Sequence, residues 1–150
     1  GGAARRAGGA CEVTVQRLNA RVGAGALLAL LPEPVVAYAD AEYLQEQVFE
    51  VAAGGSLVLL DWFASGRRAN GESWAFKRYA SVNCVRLAGA PLLHDHLALT
   101  NDGADEGGGG GGDHGASVAA RMGRAHVMAT LVLVGPRVAA AAAAEPCGRA

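Results

Sequence analysis

Basic charge is in short supply: 13 Lys plus Arg stand against 14 Asp plus Glu in 150 residues, for a net charge of -1. Without a clustered excess of cations there is no counterion-releasing surface, so nucleic acid is excluded as an expected partner. Cysteine is sparse as well. Cys11, Cys84 and Cys147 are odd in number and far apart, which fits neither a disulfide framework nor a CxxC metal knuckle and makes a reducing, cytoplasmic compartment the simpler expectation. No apolar run approaches the ~20 residues that cross a bilayer. The most apolar late stretch, Val127 to Val138, is interrupted by Gly135-Pro136-Arg137, so no membrane association is expected. The opening Gly-Gly-Ala-Ala-Arg-Arg-Ala-Gly-Gly-Ala lacks the apolar centre of a secretory signal and reads as a disordered segment of a fragment.

What the chain does have is apolar residues, 51% of the total, arranged mainly with a period of two. That pattern predicts strands. Val13-Thr14-Val15 alternates, and the apolar phase then moves to Leu18, Ala20 and Val22, which predicts a bulge or a crossing between layers. The run Gly25 to Leu31, closed by Pro32-Glu33-Pro34, predicts a strand covered on both faces. Glu42 to Val51 fits a helical stripe through Leu44, Val48 and Val51, but Tyr43, Phe49 and Val51 also fall on one strand face; Gly54-Gly55 and the apolar Ser56 to Phe63 that follow favour strand, turn, strand. Glu72 to Leu87 is expected to place Trp74 and Phe76 on one face and Lys77 and Tyr79 on the other. Ala88-Gly89-Ala90-Pro91 then turns the chain into Leu92 to Leu99, giving a β-meander.

From Asn101 to Gly115 the composition changes to Gly and Asp, with six consecutive glycines from Gly107 to Gly112, and no core can form there. Ser117 suits an N-cap for one or two helical turns ending near Met122, and Ala125 to Val134 reads as a buried strand stopped by Gly135-Pro136. The alanines from Ala139 to Ala144 have helix propensity but no apolar stripe, which predicts fraying. The expected organisation is therefore a disordered segment 1–10, a β region 11–100, a flexible insert 101–116, a helix-strand segment 117–138 and a low-complexity tail 139–150.

Chemistry-bearing residues concentrate in Asp61-Trp62-Phe63-Ala64-Ser65-Gly66-Arg67-Arg68-Ala69-Asn70-Gly71-Glu72, where acids, bases and aromatics surround two glycines. Asn70-Gly71 is the dipeptide that best tolerates a type I′ hairpin turn. His94-Asp95-His96 sets two imidazoles on one strand face with Cα atoms ~6.6 Å apart, close enough to share an ion, while Asp95 points the other way. Two ligands do not complete a site, so surface or partner-facing histidines are the competing reading. A hydrolase arrangement around Ser65 is disfavoured, because the segment lacks the G-x-S-x-G elbow and leads into a strand. The glycine run lacks the G-K-[ST] ending of a phosphate cradle.

The residues Trp62, Gly66, Arg67, Gly71 and Glu72 follow a W-x-x-x-G-R-x-x-x-G-E type pattern, and on it the chain resembles the urease accessory protein UreD (UreH) family. Further similar segments are Gln16-Arg17-Leu18, Leu27 to Pro34, Tyr38 to Gln45, Pro91 to Leu99, and Arg121-Met122 through Gly135-Pro136. Together they cover roughly Gln16 to Val138 without the glycine insert, so the chain resembles the middle of the family domain. The resemblance implies a mostly-β fold, with stacked, β-helix-like antiparallel and mixed strands, one or two short helices and an incomplete domain. It also implies a scaffold or chaperone without enzymatic activity that joins apo-urease to UreF and the GTPase UreG for nickel insertion. Nickel would be a transient passenger, not a tightly bound cofactor, and Asp61, Arg67, Glu72 and Asp95 would lie near its path. His94 and His96, offered as transient nickel ligands by their spacing alone, depart from the family pattern, which resembles a leucine strand with one aspartate at this point. Arg67 and Glu72 equally suit an ion pair that only holds the loop. A non-enzymatic β-type interaction module without a nickel role remains the alternative function.

Overall fold

A computed structural model describes residues 13–101 and 116–143. Cys11, the run Gly107 to Gly112 with His114, and Cys147 lie outside the described residues. The elements in chain order are β1 Val13–Val22, β2 Leu27–Leu30, β3 Val35–Val36, β4 Glu42–Val51, β5 Ser56–Ala64, a 3₁₀ turn Arg68–Asn70, β6 Arg78–Leu87, β7 Ala90–Thr100, α1 Val118–Met122, β8 Val127–Val134 and α2 Pro136–Ala143. The fold is mostly β, with two short helices.

Two sheets face one another. One has the order β1-β4-β6-β7; in the other β5 pairs β2, β3 and β8. The chain alternates between them, leaving β1 for β2 and β3, returning as β4, leaving again as β5 and returning as β6. Successive strands of one sheet therefore run parallel: Val13 lies beside Glu42, Glu42 beside Arg78, and Leu27 beside Ser56. This coil replaces the expected meander. The segment Glu42 to Phe63 is indeed strand, turn, strand, but the turn at Gly54-Gly55 passes the chain to the other sheet, and among the described residues only β6–β7 and β5–β8 are antiparallel. In the β6–β7 hairpin Ala88 and Gly89 both have positive φ, 50° and 81°, as a two-residue I′ turn requires.

Three local expectations are corrected. β1 pairs with β4 over its whole length without a bulge. Its inward residues Leu18, Ala20 and Val22 belong to one unbroken alternation, and Val13 and Val15 point outward, 44% and 45% exposed. β2 is not covered on both faces, since Leu27, at the end of its sheet, is 45% exposed, and Leu31 just beyond the strand is 62% exposed. The segment after Gly71 is not strand until Arg78. Trp74 takes a positive φ of 56°, and the kink lets Trp74, Phe76 and Tyr79 enter one cluster instead of opposite faces.

The interior holds two apolar clusters. Val22, Phe49, Val51, Leu57, Leu59, Val85 and Val134 fill one end of the sandwich. Ala37, Phe63, Trp74, Phe76, Tyr79, Leu99 and Val118 fill the other, with the Phe63 and Tyr79 rings stacked at a centroid distance of 3.9 Å. Ser117 caps α1 as its position predicts, its Oγ accepting from the Ala120 amide at 3.2 Å. β8 stops at Gly135-Pro136, and α2 begins at Pro136, a residue pre-shaped for the first helical position.

Candidate functional site

Between the two apolar clusters runs a layer of polar side chains, produced by the registers of the large sheet. One cross-strand row carries Gln16, Gln45 and Ser81; the next carries Leu18, Gln47, Asn83 and Asp95. Because side chains alternate along a strand, these residues share the inner face with Phe49, Val51 and Val85. Gln45, Gln47, Ser81 and Asn83 are each at most 5% exposed.

Asp61 enters this layer from the opposite sheet. Its Oδ1 accepts from Gln45 Nε2 at 2.7 Å, and its Oδ2 accepts from Ser81 Oγ at 2.9 Å and Asn83 Nδ2 at 2.6 Å. Hydrogen bonds to an ionised acceptor contribute about 1.5–3 kcal/mol each, so the carboxylate ties β5 to both β4 and β6. Two buried atoms here have no partner among the described residues, Asn83 Oδ1 and the Tyr79 hydroxyl oxygen. Tyr43 donates its hydroxyl to Gln16 Oε1 at 2.6 Å. Burial pushes the Tyr43 and Tyr79 phenols above their usual value, and the Asp61 carboxylate pushes in the same direction. Both phenols remain neutral near neutral pH.

The layer opens on two sides. A cavity of about 230 Å³ is lined by Gln16, Glu33, Gln45, Gln47, Asp61 and Trp62, among others, and the Trp62 indole donates to Pro32 O at 2.8 Å, fixing the β2–β3 connection over it. On the other side, a cleft of about 470 Å³ between β7 and β8 includes Asp95, Thr130 and Leu131. Asp95 is the cross-strand neighbour of Asn83. Asp61 lines the cavity beneath β2 and β3, Asp95 lines the cleft between β7 and β8, and Asn83 is bonded to the first and beside the second in register.

The glycine-rich loop is built differently from expectation. Arg68–Asn70 forms a 3₁₀ turn closed by Gly71 at φ 79°, and Asn70 is not left-handed, so the turn is not type I′. Nor does the loop join paired strands: it carries the chain from β5 to β6 in the facing sheet. Arg67 grips Glu72 in a two-point ion pair, with Nε to Oε2 at 3.0 Å and Nη2 bonded to Oε1. Its guanidinium also lies 4.1 Å from the centre of the Tyr38 ring. Glu72 Oε2 accepts from the Ala39 amide at 3.4 Å, and the Arg67 pairing lowers the Glu72 pKa while raising that of Arg67. Asp61 and Asp95 are thus each related to Asn83, one by hydrogen bond and one by strand register, whereas Gly66, Arg67, Gly71 and Glu72 form a separate surface unit.

His94 and His96 are exposed on the outer face of β7, away from the layer. Among the described residues no group of three or more His, Cys, Asp or Glu side chains is placed to hold a metal ion. Ser65 Oγ lies 3.5 Å from His126 Nδ1, but Ser65 is fully buried and out of reach of a substrate. Sequence reasoning missed Gln45, Ser81 and Asn83, because polar residues inside a strand look like its solvent face until the facing sheet is known. It also missed Asn101. Asn101 Nδ2 donates to Trp74 O and Phe76 O at 2.8 and 2.7 Å, and its Oδ1 accepts from the Val118 amide at 2.9 Å, pinning the kinked segment to α1. No helix among the described residues is long and apolar enough to cross a membrane.

Comparison with known proteins agrees with the motif reading. A family model described as UreD urease accessory protein matches residues 3–150. The chain is 44% identical over 131 residues to the urease accessory protein UreD of Anaeromyxobacter sp. (strain Fw109-5), covering 87% of this chain and 40% of that protein. It is 46% identical over 132 residues to the UreD of Sorangium cellulosum (strain So ce56), covering 88% and 38%. To the urease accessory protein D of Oryza sativa subsp. japonica it is 40% identical over 123 residues, covering 82% and 36%. The chain spans about two fifths of the length of the first of these relatives. On the match along nearly its whole length, the chain belongs to the UreD family of urease accessory proteins.

Proposed function

We propose that this chain is the part of a urease maturation protein that conducts nickel toward apo-urease, acting as a non-catalytic cytoplasmic scaffold in company with UreF and the GTPase UreG. The observation that supports this reading is the polar layer centred on Asp61, whose members Asp61 and Asp95 line a cavity on one side of the sandwich and a cleft on the other. A divalent cation moving through protein needs oxygen acceptors at intervals and no site so complete that it cannot leave. Asp61, Asn83 Oδ1, Gln47 and Asp95 offer acceptors of that kind, and the neutral hydroxyls of Tyr43 and Tyr79 add polarity without charge. Nickel here is cargo. The Arg67–Glu72–Tyr38 unit supports the path only indirectly, by holding the loop that follows β5.

The test is made in a urease-producing host expressing the complete gene. Asp95→Leu, at the cleft, and Gln47→Leu, at the cavity, alter the two mouths while leaving the three hydrogen bonds of Asp61 in place. Both variants are expected to co-purify with apo-urease, UreF and UreG yet to deliver urease with less nickel and lower activity. Normal nickel content in both would overturn passage through this layer. The alternative, a β-type interaction module without a nickel role, draws on the exposed Leu131 and Leu133 of β8, 58% and 51% exposed. It requires that Leu131→Ser with Leu133→Ser abolish co-purification while the two mouth variants remain fully active.

A further inference from the structure

We propose that the cavity beneath β2 and β3 is a binding site for an organic cation, an alkylguanidinium, recognised by Asp61, Glu33, Gln47 and Trp62. It does not depend on the passage of nickel. The cavity measures about 230 Å³, below the ~300–1,000 Å³ of pockets for drug-sized ligands, so it suits a group the size of a single side chain. Two carboxylates line it, Asp61 and Glu33, and no Lys, Arg or His does. Neither carboxylate makes an ion pair among the described residues. Glu33 is exposed and so stands at the rim, whereas Asp61 is half-buried.

Gln47 points independently to a ligand. It is only 5% exposed and lines the cavity, and its carboxamide makes no hydrogen bond among the described residues. A buried amide without partners is costly, and the cost falls away when a ligand meets it. Asp61 also has capacity to spare. A carboxylate offers about four acceptor positions, and Asp61 uses three, for Gln45, Ser81 and Asn83. Those three donors are neutral and leave its charge uncompensated. A cation carrying several N–H groups answers both needs at once, donating to the remaining position on Asp61 and to the Gln47 carbonyl oxygen.

The remaining walls narrow the ligand to a guanidinium. Trp62 is held by its bond to Pro32 O at 2.8 Å, and an indole attracts a cation placed over its face. A guanidinium is planar, stacks on aromatic rings and is weakly hydrated, so it enters a half-closed cavity at less cost than a compact, strongly hydrated ammonium. Leu18, Leu30 and Val35 complete the lining with apolar surface that suits an alkyl stem. The guanidinium can belong to a free small molecule or to an arginine side chain of a partner protein. The recognition chemistry is the same for both.

Propylguanidinium is the probe, and propylurea, of nearly the same shape but uncharged, is the control. The full chain, isotope-labelled, is titrated with each at low ionic strength by calorimetry and by following the Trp62 indole N–H and Gln47 side-chain NH₂ resonances. Propylguanidinium should bind saturably and shift both resonances, and propylurea should bind about tenfold more weakly or not at all. Gln47→Leu should weaken binding about tenfold and Glu33→Gln, at the exposed rim, about two- to fivefold, with the β signature in circular dichroism retained. A capped Gly-Arg-Gly peptide forms the second arm. Binding as tight as that of propylguanidinium supports the site with a protein side chain as its source, and binding of the free cation alone supports it with a small molecule. The proposal is overturned if propylguanidinium shows no saturable binding up to on the order of 10 mM, if propylurea binds as well, or if both substitutions leave the affinity unchanged. No nickel is present in these titrations, so this site and nickel passage stand or fall separately.

Discussion

Asn83 donates its amide to Asp61 Oδ2 at 2.6 Å across the gap between the two sheets, while its own Oδ1, buried, has no partner among the described residues. One side of this amide holds the sandwich together and the other leaves an acceptor available in the interior. A carboxylate shared by three donors from two strands is a strong constraint on how the facing sheets sit.

Asp61→Ala is expected to lower stability by about 3 kcal/mol or more, because Gln45, Ser81 and Asn83 each lose their acceptor in a buried setting. Asp61→Asn keeps the volume and one acceptor oxygen but sets an amide NH₂ against former donors, so it should lose less, about 1–2 kcal/mol. Urea titration of the two variants checks the order. Equal stability of Asp61→Ala and the parent would sink the assignment of Asp61 as the tie between sheets.

Gly135→Ala is expected to be among the most damaging small changes. A Cβ there would lie 2.1 Å from Gly55 O and 2.8 Å from Ser56 Cα, and the residue has φ +95°. Backbone cannot step aside as a flexible side chain can, so a loss of about 3 kcal/mol or more is expected. Thermal melts of Gly135→Ala beside Gly89→Ala, whose position is open, separate the steric part from the cost of positive φ alone.

Arg67 and Glu72 should prove coupled in a double-mutant cycle, with each single alanine change lowering the melting temperature and the double change costing less than the sum. Since the pairing holds the Glu72 pKa below its unfolded value, its contribution is present above the ordinary carboxylate pKa and is lost as pH falls through the lowered one. Melting temperatures of parent and Glu72→Gln should converge as the pH is taken below about 4. A gap that stays constant from neutral pH downward would remove the ion pair from the account.

Asn101→Ala removes three hydrogen bonds at once and leaves Trp74 O, Phe76 O and the Val118 amide unpartnered, for an expected loss of about 2–4 kcal/mol. Amide hydrogen exchange should report the damage at Val118 and along α1 before it appears in β4. Unaltered protection at Val118 would mean that α1 is held by its apolar contacts alone.

Tyr79→Phe should be neutral or stabilising by up to about 1 kcal/mol, because a buried hydroxyl without a partner is costly to keep. A substantial loss of stability in a denaturant titration would show that the hydroxyl is satisfied in solution.

Much of the local structure was determined by the chain itself. The alternation of Tyr43, Phe49 and Val51, the Ser117 cap and the Gly135-Pro136 stop act over a few residues, so spacing alone reveals them. The W…G-R…G-E pattern identified the family and marked Arg67 and Glu72, whose side chains are near enough in sequence to meet within one loop. Only the tertiary structure decided which strands became neighbours, because parallel pairing joins segments dozens of residues apart, such as Val13 with Glu42, and leaves no turn signal between them. Only it could turn Gln45, Ser81 and Asn83 into an interior layer. Their polarity suits a solvent-facing strand side until Asp61 arrives from the opposite sheet with a charge to satisfy.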